Sequence, residues 1–159
     1  MQLSLVAIGR ARAGPARALF DDYAERIRKA GPGLGIRGFK LLERPESRAS
    51  TAPERMKSEG KAIIEATTAA TTVVLDEGGE NITSAEFARW FGQERDCGTA
   101  DLAFVIGGPD GLSDPVRNNA SRAIAFGRAT WPHLMARALL AEQIYRALTI
   151  LGRHPYHRN

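Results

Sequence analysis

The chain has 159 residues, close to the usual size of one globular domain and enough to bury roughly 70% of the surface its unfolded form exposes, without help from disulfides or a structural metal. An apolar content of 43% and a charged content of 25% exclude a disordered or collagen-like chain, and the single cysteine, Cys97, excludes a disulfide framework and a multi-cysteine zinc site. The net charge of +4 is unevenly spread: residues 1–114 hold 15 Lys+Arg against 17 Asp+Glu, and residues 115–159 hold seven arginines against Glu142 alone. Such asymmetry fits a polyanionic partner, and equally a solvated arginine-rich helix face.

The apolar stretch 3–8 is shorter than a signal-peptide core and its positive charges, Arg10 and Arg12, follow it. No run approaches the roughly 20 apolar residues of a membrane span. With one cysteine, these features predict a soluble cytoplasmic protein.

The same stretch alternates as a first strand, and the loop 9–15 ends at Pro15, a residue suited to a helix start. Residues 16–30 place Leu19, Phe20, Tyr23 and Ile27 at helical spacing, and the glycines of 31–35 break the helix. A second strand is predicted over 36–42 and a polar loop over 44–50. Thr51 with Glu54 forms a capping-box pattern, so a helix is expected from there to about Ala66. Residues 71–76 follow as a buried strand and 77–81 as a glycine-containing turn. Thr83 with Glu86 repeats the capping box before Phe87, Trp90 and Phe91, whose spacing suits core or dimer packing. Residues 100–106 give a fourth strand. Asp114 and Pro115 then supply an N-cap and first turn for a helix through roughly Phe126. A short strand over 127–130, a loop over 131–133 and a helix over 134–151 end the alternation.

Five strands with intervening helices make an α/β fold, a parallel-rich sheet flanked by helices on both faces, in one domain spanning residues 1–159. General rules of chain connection predict an unknotted sheet.

Phe104-Val105-Ile106-Gly107-Gly108-Pro109-Asp110-Gly111-Leu112 runs a strand into a tight glycine turn before a helix, where α/β proteins bind ligands. The turn lacks the dinucleotide fingerprint, since residues 115–141 contain no acid, and it lacks the Gly-Lys-Ser/Thr of a phosphate-gripping loop. A plain strand-to-helix turn explains it as well as a ligand site does. Two further strand-end loops, after Leu75 and over 127–132, could join it in one pocket lined by backbone, suited to adenine and ribose rather than a triphosphate.

The chain ends on Ala141-Glu142-Gln143-Ile144-Tyr145-Arg146-Ala147 and His154-Pro155-Tyr156-His157-Arg158, a density of polar groups unusual for a terminus. Together with Ile106-Gly107-Gly108-Pro109-Asp110-Gly111-Leu112 and Pro132-His133, this pattern resembles the bacterial 23S ribosomal RNA pseudouridine N3-methyltransferase family of the SPOUT superfamily. The resemblance covers nearly the whole chain, with its specificity concentrated in residues 104–158. It implies a C-terminal trefoil knot in place of the unknotted default, a homodimer, and S-adenosylmethionine as cofactor. It further implies cofactor contacts from Leu75, Gly107, Gly127, Arg128, Ala129, Thr130, Trp131 and Pro132.

On the same resemblance, His154, Tyr156 and His157 are candidates for substrate positioning or proton transfer, and no metal is required. A tail that merely packs across the dimer is the structural alternative. Arg146, four residues after Glu142, is either a surface ion pair worth about 0.3–0.5 kcal/mol or the holder of a substrate phosphate oriented by Glu142. His133 is expected to be a structural hydrogen bonder and Cys97 inert. The implied activity is methylation of N3 of a pseudouridine in 23S ribosomal RNA of the large subunit or assembled ribosome. Another RNA target, such as a tRNA base or ribose hydroxyl, and a non-catalytic ribosome-binding protein are the alternatives.

Overall fold

The structure, a computed structural model, describes residues 1–156. Its elements run β1 (Gln2–Ile8), α1 (Pro15–Ala30), β2 (Gly38–Arg44), α2 (Ala52–Thr67), β3 (Thr71–Asn81), α3 (Ser84–Asp96), β4 (Asp101–Ile106), α4 (Asp114–Asn119), β5 (Arg122–Ala125) and α5 (His133–Leu151). The strands stand in the order β2-β1-β4-β3-β5 and every pairing is parallel, so their C-terminal ends share one edge.

Alternation of side chains along each strand divides the core into two layers. Leu3, Leu5 and Ala7 of β1, with Val73 and Phe104, face a layer filled by Phe20 and Ile27 of α1, Phe87 and Phe91 of α3, and Leu140, Ile144 and Leu148 of α5. Val6, Ile8, Val74 and Val105 face the other side, where Ile63 of α2 and Val116 of α4 cover them. Helix α5 packs on both α1 and α3, which is why eight of its residues are buried and its apolar positions run nearly all round. No described helix is long and apolar enough to cross a membrane.

The parallel sheet with helices on both faces agrees with the sequence reading, and several local expectations need correction. The fifth strand lies at Arg122–Ala125, not at 127–130, and α4 stops at Asn119 instead of reaching Phe126. Residues 120–125 have helix-compatible composition, yet Ala120 is already extended and the Ser121 N–H and hydroxyl both bond Thr72 O at 2.8 Å. Pairing with β3 overrides propensity there. The turn expected at 77–81 is absorbed into β3 as an irregularity between Leu75 and Glu80. At Gly79 a Cβ would sit 2.7 Å from Ile124 backbone, so β5 can pass only over a glycine. Strand β2 begins two residues later than expected, at Gly38. Ser113, rather than Asp114, precedes α4.

The second capping box is complete, with Glu86 N–H on Thr83 Oγ1 at 3.2 Å and Thr83 N–H on Glu86 Oε2 at 2.8 Å. The first is not. Thr51 Oγ1 donates to Glu54 Oε2 at 2.9 Å, and the side chains satisfy each other without capping the backbone.

Candidate active site

Three strand-end loops and the start of α5 enclose a cleft of about 600 Å³ at the C-terminal edge of the sheet. Leu75, Ile106 and Ile124 form its apolar floor, and the turn 107–112 and the loop 126–132 form its walls. The turn depends on Gly107, where a Cβ would lie 2.9 Å from Gly111 O and 3.0 Å from Leu112 Cδ2. The opposite loop depends on Gly127, whose φ of +87° few side chains tolerate and whose N–H bonds Asn81 Oδ1 at 2.9 Å. Trp131, 46% exposed, closes that loop by donating its indole N–H to Phe126 O at 2.9 Å.

At the cleft mouth Arg117 Nε bonds Asp76 Oδ2 at 2.8 Å. Burial pushes the Asp76 carboxyl up, but the hydrogen bonds from Arg117 and the Gly78 N–H outweigh it and hold the group below the usual aspartate range. Asp110 in the glycine turn accepts two bonds from one edge of the Arg55 guanidinium, from Nε at 2.7 Å and Nη2 at 2.9 Å, and its carboxyl is likewise lowered by that bonding.

A second cluster forms where the chain's end folds back along α5. Tyr156 OH lies 3.1 Å from Tyr23 OH of α1 and 3.4 Å from Glu142 Oε1, while its ring meets Tyr145 edge-on with centroids 4.9 Å apart. Arg146 bonds Glu142 Oε1 through Nε at 2.9 Å and through Nη2, and its guanidinium stands over the Tyr156 ring at 5.3 Å. Burial first, and then the bond with Tyr23, raise the Tyr156 phenol above the ordinary tyrosine value, so it stays protonated at neutral pH. Bonding to Glu142 raises the Arg146 guanidinium. His154 is exposed and turns its Nδ1 back to accept the Tyr156 N–H at 3.2 Å.

The two clusters share α5 and are separate in space. Glu142 and Arg146 lie six and ten residues beyond Ala136, which lines the cleft, or about 9 and 15 Å along the helix axis. None of Glu142, Arg146, His154 and Tyr156 lines the cleft of its own chain.

The family model described as "Predicted SPOUT methyltransferase" matches residues 1–157. The chain belongs to this SPOUT methyltransferase family. It is 50% identical over 159 residues to the ribosomal RNA large subunit methyltransferase H of Bradyrhizobium diazoefficiens, covering 99% of each chain. It is 52% identical over 159 residues to the protein of the same name from Bradyrhizobium sp. strain ORS 278, covering 99% of this chain and 98% of that one. Among solved structures it is similar to the SpoU methyltransferase AviRb from Streptomyces viridochromogenes, in complex with AdoMet, with 14% identity and a TM-score of 0.41 over 90% of this chain and 56% of that one.

In this SPOUT chain, most of the residues that the sequence reading named for cofactor contact come together in one cleft. Leu75, Gly107, Gly127, Ala129, Thr130, Trp131 and Pro132 all line it, whereas Arg128 is exposed and is not among the lining residues. Glu142, Arg146 and Tyr156 come together, with His154 one turn away, and His157 lies outside the described residues. His133 opens α5 and lines the cleft; among the described residues its ring makes no hydrogen bond, so the structural role expected of it is absent. Phe91 is fully buried, and Trp90 packs on Phe87 and Phe104 beneath the Arg122 guanidinium. Cys97 is an exposed C-cap of α3.

Sequence reasoning missed Tyr23, Asp76, Arg117 and Arg137. Tyr23 is one apolar position of an amphipathic helix until Tyr156 reaches it. Asp76 stood at a strand end, a visible signal, but its partner is 41 positions away. Arg137 is 1% exposed inside a helix that the sequence gives no reason to bury on that side.

Proposed function

We propose that this chain is an S-adenosylmethionine-dependent methyltransferase that modifies N3 of a pseudouridine in 23S ribosomal RNA, presented on the assembled ribosome. On this reading residues 1–159 form one catalytic domain with the family's knotted C-terminal threading, working in the cytoplasm as a homodimer. The observation that carries it is identity near 50% across the full length to proteins named ribosomal RNA large subunit methyltransferase H.

The cleft fits the cofactor. A floor of Leu75, Ile106 and Ile124 suits adenine, the backbone of 107–112 and 126–132 offers hydrogen-bonding groups, and Gly107 keeps the turn free of a side chain. When bound, the cofactor supplies a sulfonium-activated methyl group. The protein must then orient the pseudouridine, accept the N3 proton as the N–C bond forms, and exclude water.

Tyr156, Arg146, Glu142, His154 and His157 are the residues proposed for substrate positioning and proton handling. Because Tyr156 stays protonated, its part is to donate a hydrogen bond, and accepting the N3 proton falls to another group. The gap of about 9–15 Å along α5 between tail and cleft favours a dimer in which the tail of one copy completes the cleft of the other.

Mass mapping of 23S ribosomal RNA nucleosides from cells lacking this gene, with and without the purified protein and S-adenosylmethionine, tests the reading. Loss and restoration of one methylated pseudouridine is expected. Unchanged ribosomal RNA overturns the assignment.

A further inference from the structure

Folding offsets part of the charge segregated along the sequence. Of the arginines beyond residue 114, Arg117 pairs with Asp76 and Asp114, Arg122 with Glu80, Arg137 with Glu43 and Arg146 with Glu142. Three of these four draw an acid from the first 81 residues. These three pairs offset half of the stretch's formal excess of six, and Arg128 and Arg153 stay exposed without an ion pair among the described residues.

Four further uncompensated arginines lie on the loops that leave the C-terminal ends of β1 and β2. Arg10 and Arg12 follow β1, Arg44 closes β2, and Arg48 lies four residues on. Among the described residues none of the four has a carboxylate within ion-pair distance, and Arg10, Arg12 and Arg48 are exposed. Glu46 is the exposed carboxylate in the same loops, leaving the group clearly basic. The loops are neighbours: Ile8 pairs with Arg44, and the Gly9 N–H bonds Arg44 O at 2.8 Å. They also share the sheet edge with the cleft, since β1 lies beside β4, whose end carries the glycine turn.

A buried bracket fixes these loops relative to the cleft. Glu43 Oε1 accepts the Ala11 N–H at 2.7 Å and Arg137 Nη1 at 2.8 Å. Arg137 Nη2 in turn donates to Ile8 O at 2.7 Å and Gly9 O at 2.9 Å. Burial lowers the Arg137 guanidinium and the charge of Glu43 opposes that. Arg137 follows Ala136 of the cleft wall, so one side chain ties the arginine loops to the helix that bounds the cleft.

We propose that Arg10, Arg12, Arg44 and Arg48 form a rim that binds the phosphate backbone of the RNA substrate while the target base enters the adjoining cleft. This rests on the RNA-methylating function proposed above. Guanidinium forks match phosphate oxygens in geometry, and backbone contacts fix register and supply salt-sensitive affinity without reading sequence.

The test compares the full-length protein with its R10A/R12A/R48A variant and with K57A/K61A/R89A, which removes the same charge from exposed positions on α2 and α3. Binding to assembled ribosomes and to naked 23S ribosomal RNA is measured between about 50 and 200 mM salt, alongside methyl transfer to the ribosomes and S-adenosylmethionine affinity. The rim variant should bind RNA at least ~10-fold more weakly at low salt, and its log–log salt slope should be shallower by about 2. Its KM for RNA should rise with kcat and cofactor affinity unchanged, while the control stays within ~2-fold. Equal loss in both variants, or none in either, overturns the rim. Loss on assembled subunits with naked RNA binding intact also overturns it, because the rim would then meet a ribosomal protein. A wild-type protein that binds RNA but transfers no methyl group would defeat the functional reading and leave the rim standing on its binding ratio; one that binds no RNA would defeat the rim.

Discussion

The cleft at the strand ends and the cluster around Tyr156 occupy the same helix and are made of opposite materials. The cleft is backbone and small apolar side chains, held open by glycines whose positions punctuate the sequence after β4 and β5. The tail cluster is made of side chains: three tyrosines, Arg146 and Glu142, drawn from α1, α5 and the chain's end. A backbone site binds what it is shaped for and tolerates side-chain drift, whereas a side-chain site is sensitive to single atoms. If the proposed function holds, cofactor affinity and turnover reside in different parts of the chain and should be separable by mutation.

The largest expected effect falls on the element that joins the cleft to the sheet. Arg137→Met leaves the buried Ile8 and Gly9 carbonyls without a donor and takes the partner from the half-buried Glu43, and should cost about 2–4 kcal/mol in chemical denaturation. A loss under about 1 kcal/mol would mean that the bracket is not structural. Gly107→Val forces the glycine turn away from Gly111 and Leu112, and overpacking of this kind costs about 1–3 kcal/mol. Calorimetry should show S-adenosylmethionine affinity lost with it, and retained affinity would remove the turn from the site. Tyr156→Phe takes away one hydroxyl and should cost ~1 kcal/mol or less of stability. Turnover should fall at unchanged cofactor affinity, and the pH profile between about 6 and 9 should keep its shape because the phenol is protonated throughout. A changed cofactor affinity would erase the division between the two regions.

The smallest effect concerns the cleft mouth. The Asp76 carboxyl is lowered in the folded state, so its contribution is present above the unfolded value near pH 4 and is lost as pH falls through the folded value. Asp76→Asn should therefore flatten the stability slope below about pH 4, by under ~1 kcal/mol, and leave neutral stability lower by the same amount. An unaltered acid slope would show that the Arg117 pair contributes nothing there.

The same contrast explains what was legible in the sequence. Glycines at strand ends, the Thr83–Glu86 capping box and the alternation of strands and helices are local signals, and they located the cleft walls within a residue or two. Strand β5 was misplaced because residues 120–125 favour a helix by composition and become a strand through pairing with β3. Side-chain partnerships were invisible for a plainer reason: Tyr23 and Tyr156 are 133 positions apart, and Arg137 and Glu43 are 94 apart. For that reason four arginines of the basic C-terminal stretch are found in ion pairs, while Arg10 and Arg12 stood in the sequence only as charges after the first strand and not as part of a basic rim.

The division of labour between the regions makes its sharpest prediction in a mixed assembly. Subunits carrying Gly107→Val have an impaired cleft and an intact tail; subunits carrying Tyr156→Phe with His154→Ala have the reverse. Mixed after reversible dissociation, they should recover about a quarter of wild-type methyl transfer, since half of the dimers are mixed and each of these rebuilds one site from two chains. Recovery of that size is the predicted result, and a mixture no more active than its two parts would contradict a site shared between copies.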